Sequence, residues 1–146
     1  MDTSSPEMKA IVEAVTLADK ARSRVLLLEL WERLSPAGAP MQICSMAHAL
    51  ADTETEAAAE LEWDLRSLEG ATGRRGTEDR DPVSEEVAEF LPSIHLSVAE
   101  GYRKLGDLER ARAHLLAAET RIAILPDDAY GKLIRGGLRR LQGLLA

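Results

Sequence analysis

His48 and Asp52 stand four residues apart in a helical run, so both side chains leave the same face one turn apart. A histidine with a carboxylate at that spacing suits three roles. It can be a general base with its orienting acid, two ligands of a divalent metal, or a plain hydrogen-bonded pair lining a surface. The first two need a third group, and His95 or Glu100, from the second half of the chain, are the candidates to supply it. His95 sits between Ile94 and Leu96 on an apolar helix and reads as a satisfied interior histidine. His114, in an Ala/Leu/Arg-rich helix, reads as exposed. Cys44 is the only cysteine and lies among Ile43 and Met46, so it reads as a small buried hydrophobe with no disulfide partner. Trp63 and Tyr102 read as packing groups. The glycines at 131, 136 and 137 follow no strand and match no phosphate-binding fingerprint. No nucleophile elbow, HExxH or paired-cysteine motif occurs, so no catalytic residue, metal set or cofactor is assigned.

The elements that must position these residues are helical. Ser5-Pro6-Glu7 supplies an N-cap, a first-turn proline and a first-turn acid. Apolar residues then recur to Leu17, and a second run over 21–34 stops at Ser35-Pro36. Residues 36–40 are a break, and a third helix is predicted over 41–52. Thr53 with Glu56 reads as a capping box for a fourth helix that closes at Gly70. Residues 70–82, rich in glycine and charge, read as a flexible loop. A fifth helix opens near Ser84, kinks or restarts at Pro92, and ends at Gly106. Asp107 caps a sixth that reaches about residue 125, and a terminal helix over 126–146 carries a leucine-rich face suited to capping the array.

Length and composition agree with one all-α domain over residues 1–146. At 146 residues the chain can bury a core without staples. Aromatics make up only 3%, too few for a sheet protein or for base stacking. The net charge of -7 argues against nucleic acid as partner, although seven Lys and Arg against five acids beyond residue 106 leave a locally basic last helix. The first residues lack a secretory pattern, and no apolar run approaches membrane-spanning length, so a cytoplasmic location is expected.

Two stretches share one skeleton 52 residues apart: Ala47, Leu50, Ala59, Trp63 and Ala99, Tyr102, Ala111, Leu115. Residues 94–118 resemble a tetratricopeptide repeat, with Ala99, Tyr102, Gly106, Ala111, Leu115 and Ala118 at its small, aromatic, turn-glycine, small, large and small places. Residues 41–65 look like a degenerate second copy, and Ala14, Leu17, Leu26 and Leu30 outline a conceivable third. The chain as a whole looks like small stand-alone bacterial proteins of that family.

The resemblance implies an antiparallel helix-hairpin array of six to seven helices, with a right-handed stack and a concave groove that holds a peptide or partner helix. Matched position by position, the groove would be lined by Met41, Cys44, His48, Ala51 and Asp52, and by Ser93, Leu96, Glu100, Arg103 and Lys104. The family's carboxylate clamp of Lys and Asn is absent, since Cys44, His48, Leu96 and Glu100 stand there. The first functional reading is therefore a non-catalytic protein or peptide-interaction module with a polar groove of His48, Asp52, Leu96, Glu100, Arg103 and Lys104, with a homodimer as one form of it. The second is a small-molecule or metal site, and with it an enzyme, built around His48, Asp52, His95 and Glu100.

Overall fold

A computed structural model describes residues 5–35, 37–77 and 84–146. The described elements are helices: α1 (Pro6–Val15), α2 (Lys20–Leu34), α3 (Pro40–Ala51), α4 (Ala57–Thr72), α5 (Glu85–Lys104), α6 (Leu108–Arg121) and α7 (Ala129–Leu144), with one turn of 3-10 helix at Ile122–Ile124. Among the described residues there is no strand, and no helix is long and apolar enough to cross a membrane.

Short polar side chains begin α1, α2, α5, α6 and α7 by accepting the backbone N–H groups that a first turn leaves free, whereas α3 and α4 have no such cap. Ser5 accepts from Met8, Asp19 from Ala21 and Arg22, Ser84 from Val87, Asp107 from Arg110, and Asp128 from Gly131. Gly106 lets the chain turn after α5 with φ of +83°, a left-handed conformation that costs glycine least.

Four expectations change. Thr53 and Glu56 do not form a capping box: Glu56 holds the N-cap position, while the Thr53 hydroxyl donates to the Leu50 carbonyl at 2.7 Å and accepts from Arg24 at 2.8 Å. The end of α4 lies at Thr72 with Gly73 as its left-handed cap, because Gly70 sits inside the helix against Ile43. Residues 70–72 of the expected loop thus belong to α4, residues 73–77 are irregular, and residues 78–82 lie outside the described set. Pro92 does not restart α5, which runs through it as one helix of 20 residues with the proline buried. Finally, α6 ends at Arg121, and the 3-10 turn takes up the remainder.

Successive helices pack as hairpins: α1 on α2, α3 on α4 and α5 on α6. The even-numbered members also touch the next odd one, α2 on α3, α4 on α5 and α6 on α7. The odd-numbered helices form a continuous layer, α1 on α3, α3 on α5, and α5 on α7. Three apolar clusters fill the space between. One joins Met8, Ile11, Leu27, Leu30, Ala47, Leu50 and Trp63, and its aromatic centre is an edge-to-face contact of Trp31 and Trp63 at 5.1 Å. A second joins Cys44, Leu61, Leu68, Val87, Ile94 and Val98. The third joins Ala99, Ala111, Leu115 and Ala118 with Leu138, Leu141 and Leu145 of α7. The skeleton residues Ala47, Leu50 and Trp63, and Ala99, Ala111 and Leu115, therefore occupy the interior of two hairpins.

Buried polar bonds cross each hairpin. Ser23 donates to the Ala14 carbonyl at 2.7 Å, and Ser67 to the Cys44 carbonyl at 2.8 Å. In the third hairpin the corresponding link is between two histidines, and it overturns one expectation. His114 is only 4% exposed, with Nδ1 3.0 Å from Nδ1 of His95. Its helix turns Ala111, His114, Leu115 and Ala118 inward together, so i, i+3 and i+4 spacing buries it despite the polar neighbours.

Candidate functional site

The odd-numbered helices share one indented face. Its first half, between α1, α3 and α5, is an apolar hollow of about 280 Å³ walled by Met8, Ile11, Val12, Val15, Met41 and Phe90, with Ser45, His48 and Asp52 on its α3 side. Its second half, of about 310 Å³, lies between α5, α7 and the start of α4. Leu96, Leu133, Ile134 and Leu141 give it an apolar wall, and Asp52, Glu60, Asp64, Glu100, Lys104 and Arg140 supply charge. Asp52 borders both halves, so the two hollows adjoin at that residue.

Local sequence explains the placement. On α3, Met41, Ser45, His48 and Asp52 follow at four, three and four residues, a single helical stripe. On α5, Ser93, Leu96, Ser97, Glu100 and Lys104 repeat the pattern. The stripe opposite, with Ile94, Val98 and Ala99, is buried.

The junction of the two halves holds a buried pair. Asp64 is 3% exposed, and its Oδ1 stands 3.5 Å from Nδ1 of His48, long for a hydrogen bond. Neither atom has a closer partner. The ring of His48 also meets Phe90 edge-on at 5.2 Å. Burial pulls the His48 pKa down, but the facing Asp64 carboxylate and then Asp52 outweigh it, and the imidazole stands above its ordinary value. Burial raises the Asp64 carboxyl, helped by the nearby charges of Glu60 and Asp52 and opposed by His48.

The remaining charges around the second half are matched. Arg103 holds Glu100 through two bonds of 2.9 and 2.8 Å and keeps its carboxyl below the usual range, with Arg140 3.6 Å away on the same carboxylate. Lys104 donates to Glu60 across the α4–α5 contact at 3.0 Å.

Of the residues expected to line a groove, the structure brings Asp52, Leu96, Glu100 and Lys104 together in the charged half and places His48 in the apolar half, beside Asp52. Arg103 acts through its hold on Glu100. Met41 and Ser93 also line the face. Cys44 and Ala51 do not: both point into the core, 0% and 2% exposed, and burial pushes the Cys44 thiol up to about 12. His48 takes Asp64, rather than Asp52, as its close partner. His95 turns away from the groove toward His114, so it does not join His48, Asp52 and Glu100. Among the described residues no three His, Cys, Asp or Glu side chains converge as a metal-ligand group.

Asp64 joins the site without belonging to any motif in the sequence. Its signal was the register of α4, where Asp64 lies three residues after Leu61 and four before Leu68, on the buried stripe. A carboxylate at such a place demands a partner.

The described residues form an all-helical protein with an apolar and a charged hollow side by side along its odd-numbered helices. Comparison with family models, curated proteins and solved structures finds no match to this chain.

Proposed function

We propose that this chain is a tetratricopeptide-like interaction module that holds a peptide or partner segment along the face formed by α1, α3, α5 and α7. The observation that carries the reading is that two hollows adjoin at Asp52 along the layer of odd-numbered helices. Four helices distant in sequence each present side chains to one or both of these hollows, α1 to the apolar one and α7 to the charged one, and each rests on its odd-numbered neighbour. A hairpin array that curves around its odd-numbered helices produces such a face by construction of the repeat. The two halves together have the size of ligand sites, yet they are open, as suits an extended segment better than an enclosed small molecule.

The wall chemistry supports the same reading. Phe90, Met8, Val12 and Val15 offer an apolar surface for an anchoring side chain, and Val12 and Val15 remain exposed. Ion-paired Glu100, Lys104 and Arg140 form a polar rim that would fix orientation. Binding of this kind requires no chemistry of the face.

Selection from a displayed peptide library tests it. Peptides enriched on the native chain should lose binding when Ser45→Trp or Ser97→Trp fills one half of the face. Enriched peptides that bind the filled variants equally would place recognition elsewhere and overturn the reading. Failure to enrich any peptide would also count against it.

A further inference from the structure

We propose that the junction of the two halves is a cation subsite, receiving a lysine or arginine side chain of a partner segment whose neighbouring apolar residue fills the hollow against Phe90. The inference rests on the interaction-module reading and specifies the chemistry of its ligand.

Charge bookkeeping around the depression leads there. Glu60 is matched by Lys104 and Glu100 by Arg103 and Arg140. Asp52 and Asp64 have no ion pair to Lys or Arg among the described residues; Lys20 reaches only the backbone carbonyl of Asp52, at 3.4 Å. An acidic cluster on a wet surface would need nothing more. Asp64 differs because it is buried, lines the charged half, and has only the long 3.5 Å approach of His48 for its Oδ1. A carboxylate so placed gains from a charged N–H donor that enters from the groove.

Size and polarity suit a long aliphatic stem with a charged tip. Leu96, Ile134 and Leu141 would cover the methylenes, and Asp52 and Asp64 would receive the head group. The adjacent hollow of about 280 Å³ accepts a leucine- or phenylalanine-sized group from the same segment. Lys104 and Arg140 do not cancel this subsite, since each is held on its own carboxylate.

The test uses the full chain, labelled for NMR, with two probes: a short capped peptide of leucine and lysine at helical spacing, and its counterpart with every lysine replaced by glutamine. The lysine peptide should shift the signals of His48, Asp52, Asp64 and Ser97, and the glutamine peptide should bind about tenfold more weakly. Asp64→Asn should weaken the lysine peptide by about tenfold, and so should the exposed variant Asp52→Asn, which keeps the test valid if the buried variant misfolds. Glu109→Gln on α6 should change nothing. Equal affinity for the two peptides, at the same residues, would overturn the cation subsite and leave the groove reading standing. Binding indifferent to both aspartate variants, or no binding of the lysine peptide, would also overturn it; the library selection decides the groove reading separately.

Discussion

His95 and His114 hold their Nδ1 atoms 3.0 Å apart across the α5–α6 interface, with Tyr102 stacked on His114 at 5.6 Å. Only one hydrogen fits between those atoms, so one ring donates from Nδ1 while the other accepts there and carries its hydrogen on Nε2. Protonating the acceptor removes the bond and buries a charge. Burial, with each ring beside the other, holds His95 at about 3, and burial holds His114 at about 4.

The pair should therefore make the fold acid-labile. Both folded values lie below the ordinary 6.5, so the unfolded chain binds more protons in acid. Stability is complete above pH 6.5 and falls as pH drops from there toward 4 and then 3. The loss at pH 4 is on the order of 3 kcal/mol for each ring. Urea midpoints measured across this range should fall steeply for the native chain. A His95→Leu, His114→Leu double variant that keeps the same slope would refute the assignment.

His48 behaves in the opposite sense. Its folded pKa stands above the ordinary value because of Asp64 and Asp52, so its contribution is full below pH 6.5 and fades as pH rises through the folded value. NMR titration of the ring should show a midpoint above 6.5 in the native chain. In Asp64→Asn the midpoint should drop, since burial then faces only Asp52; an unchanged midpoint would contradict the pairing.

Glycines of α7 should respond in opposite directions to alanine. A Cβ at Gly131 would run into the Pro126 carbonyl oxygen, against rigid backbone, so Gly131→Ala should destabilise the chain. At Gly136 the nearest atom is the Arg139 guanidinium at 4.0 Å, and Gly136→Ala should stabilise by up to about 1 kcal/mol through helix propensity. Thermal unfolding of the two variants settles both signs.

Trp63 should be the costliest single truncation of the first half. It is buried against Trp31, donates from Nε1 to Glu54 at 2.9 Å and lies under the Arg66 guanidinium. Trp63→Ala should cost about 3–5 kcal/mol in chemical denaturation. A change below about 1 kcal/mol would mean that the hairpin is not packed around it.

The helix order was legible because caps and apolar periodicity are local. Ser5, Asp107 and Gly106 act as their types imply, and of the shared skeleton Ala47, Leu50, Trp63, Ala99, Ala111 and Leu115 are core while Ala59 and Tyr102 are half-buried. Events that depend on a neighbouring helix were not legible. Gly70 looks like a stop until Ile43 is seen beside it, and Thr53 looks like a cap until Arg24 and Leu50 claim its hydroxyl. The same holds for the site. Spacing on α3 joined His48 to Asp52, but the closer carboxylate arrives from α4, and His114 could be placed only once α6 had docked on α5.

Photocrosslinking from the two faces of the array tests the central claim most directly. A benzoylphenylalanine at Ser97, in the groove, and another at Leu116, exposed on α6, would be irradiated in the native host and the adducts sequenced. Ser97 should capture one defined segment carrying an apolar residue beside a lysine or arginine, and Leu116 should not. Capture of the same partner from Leu116 alone, or no defined adduct from Ser97, would contradict that claim.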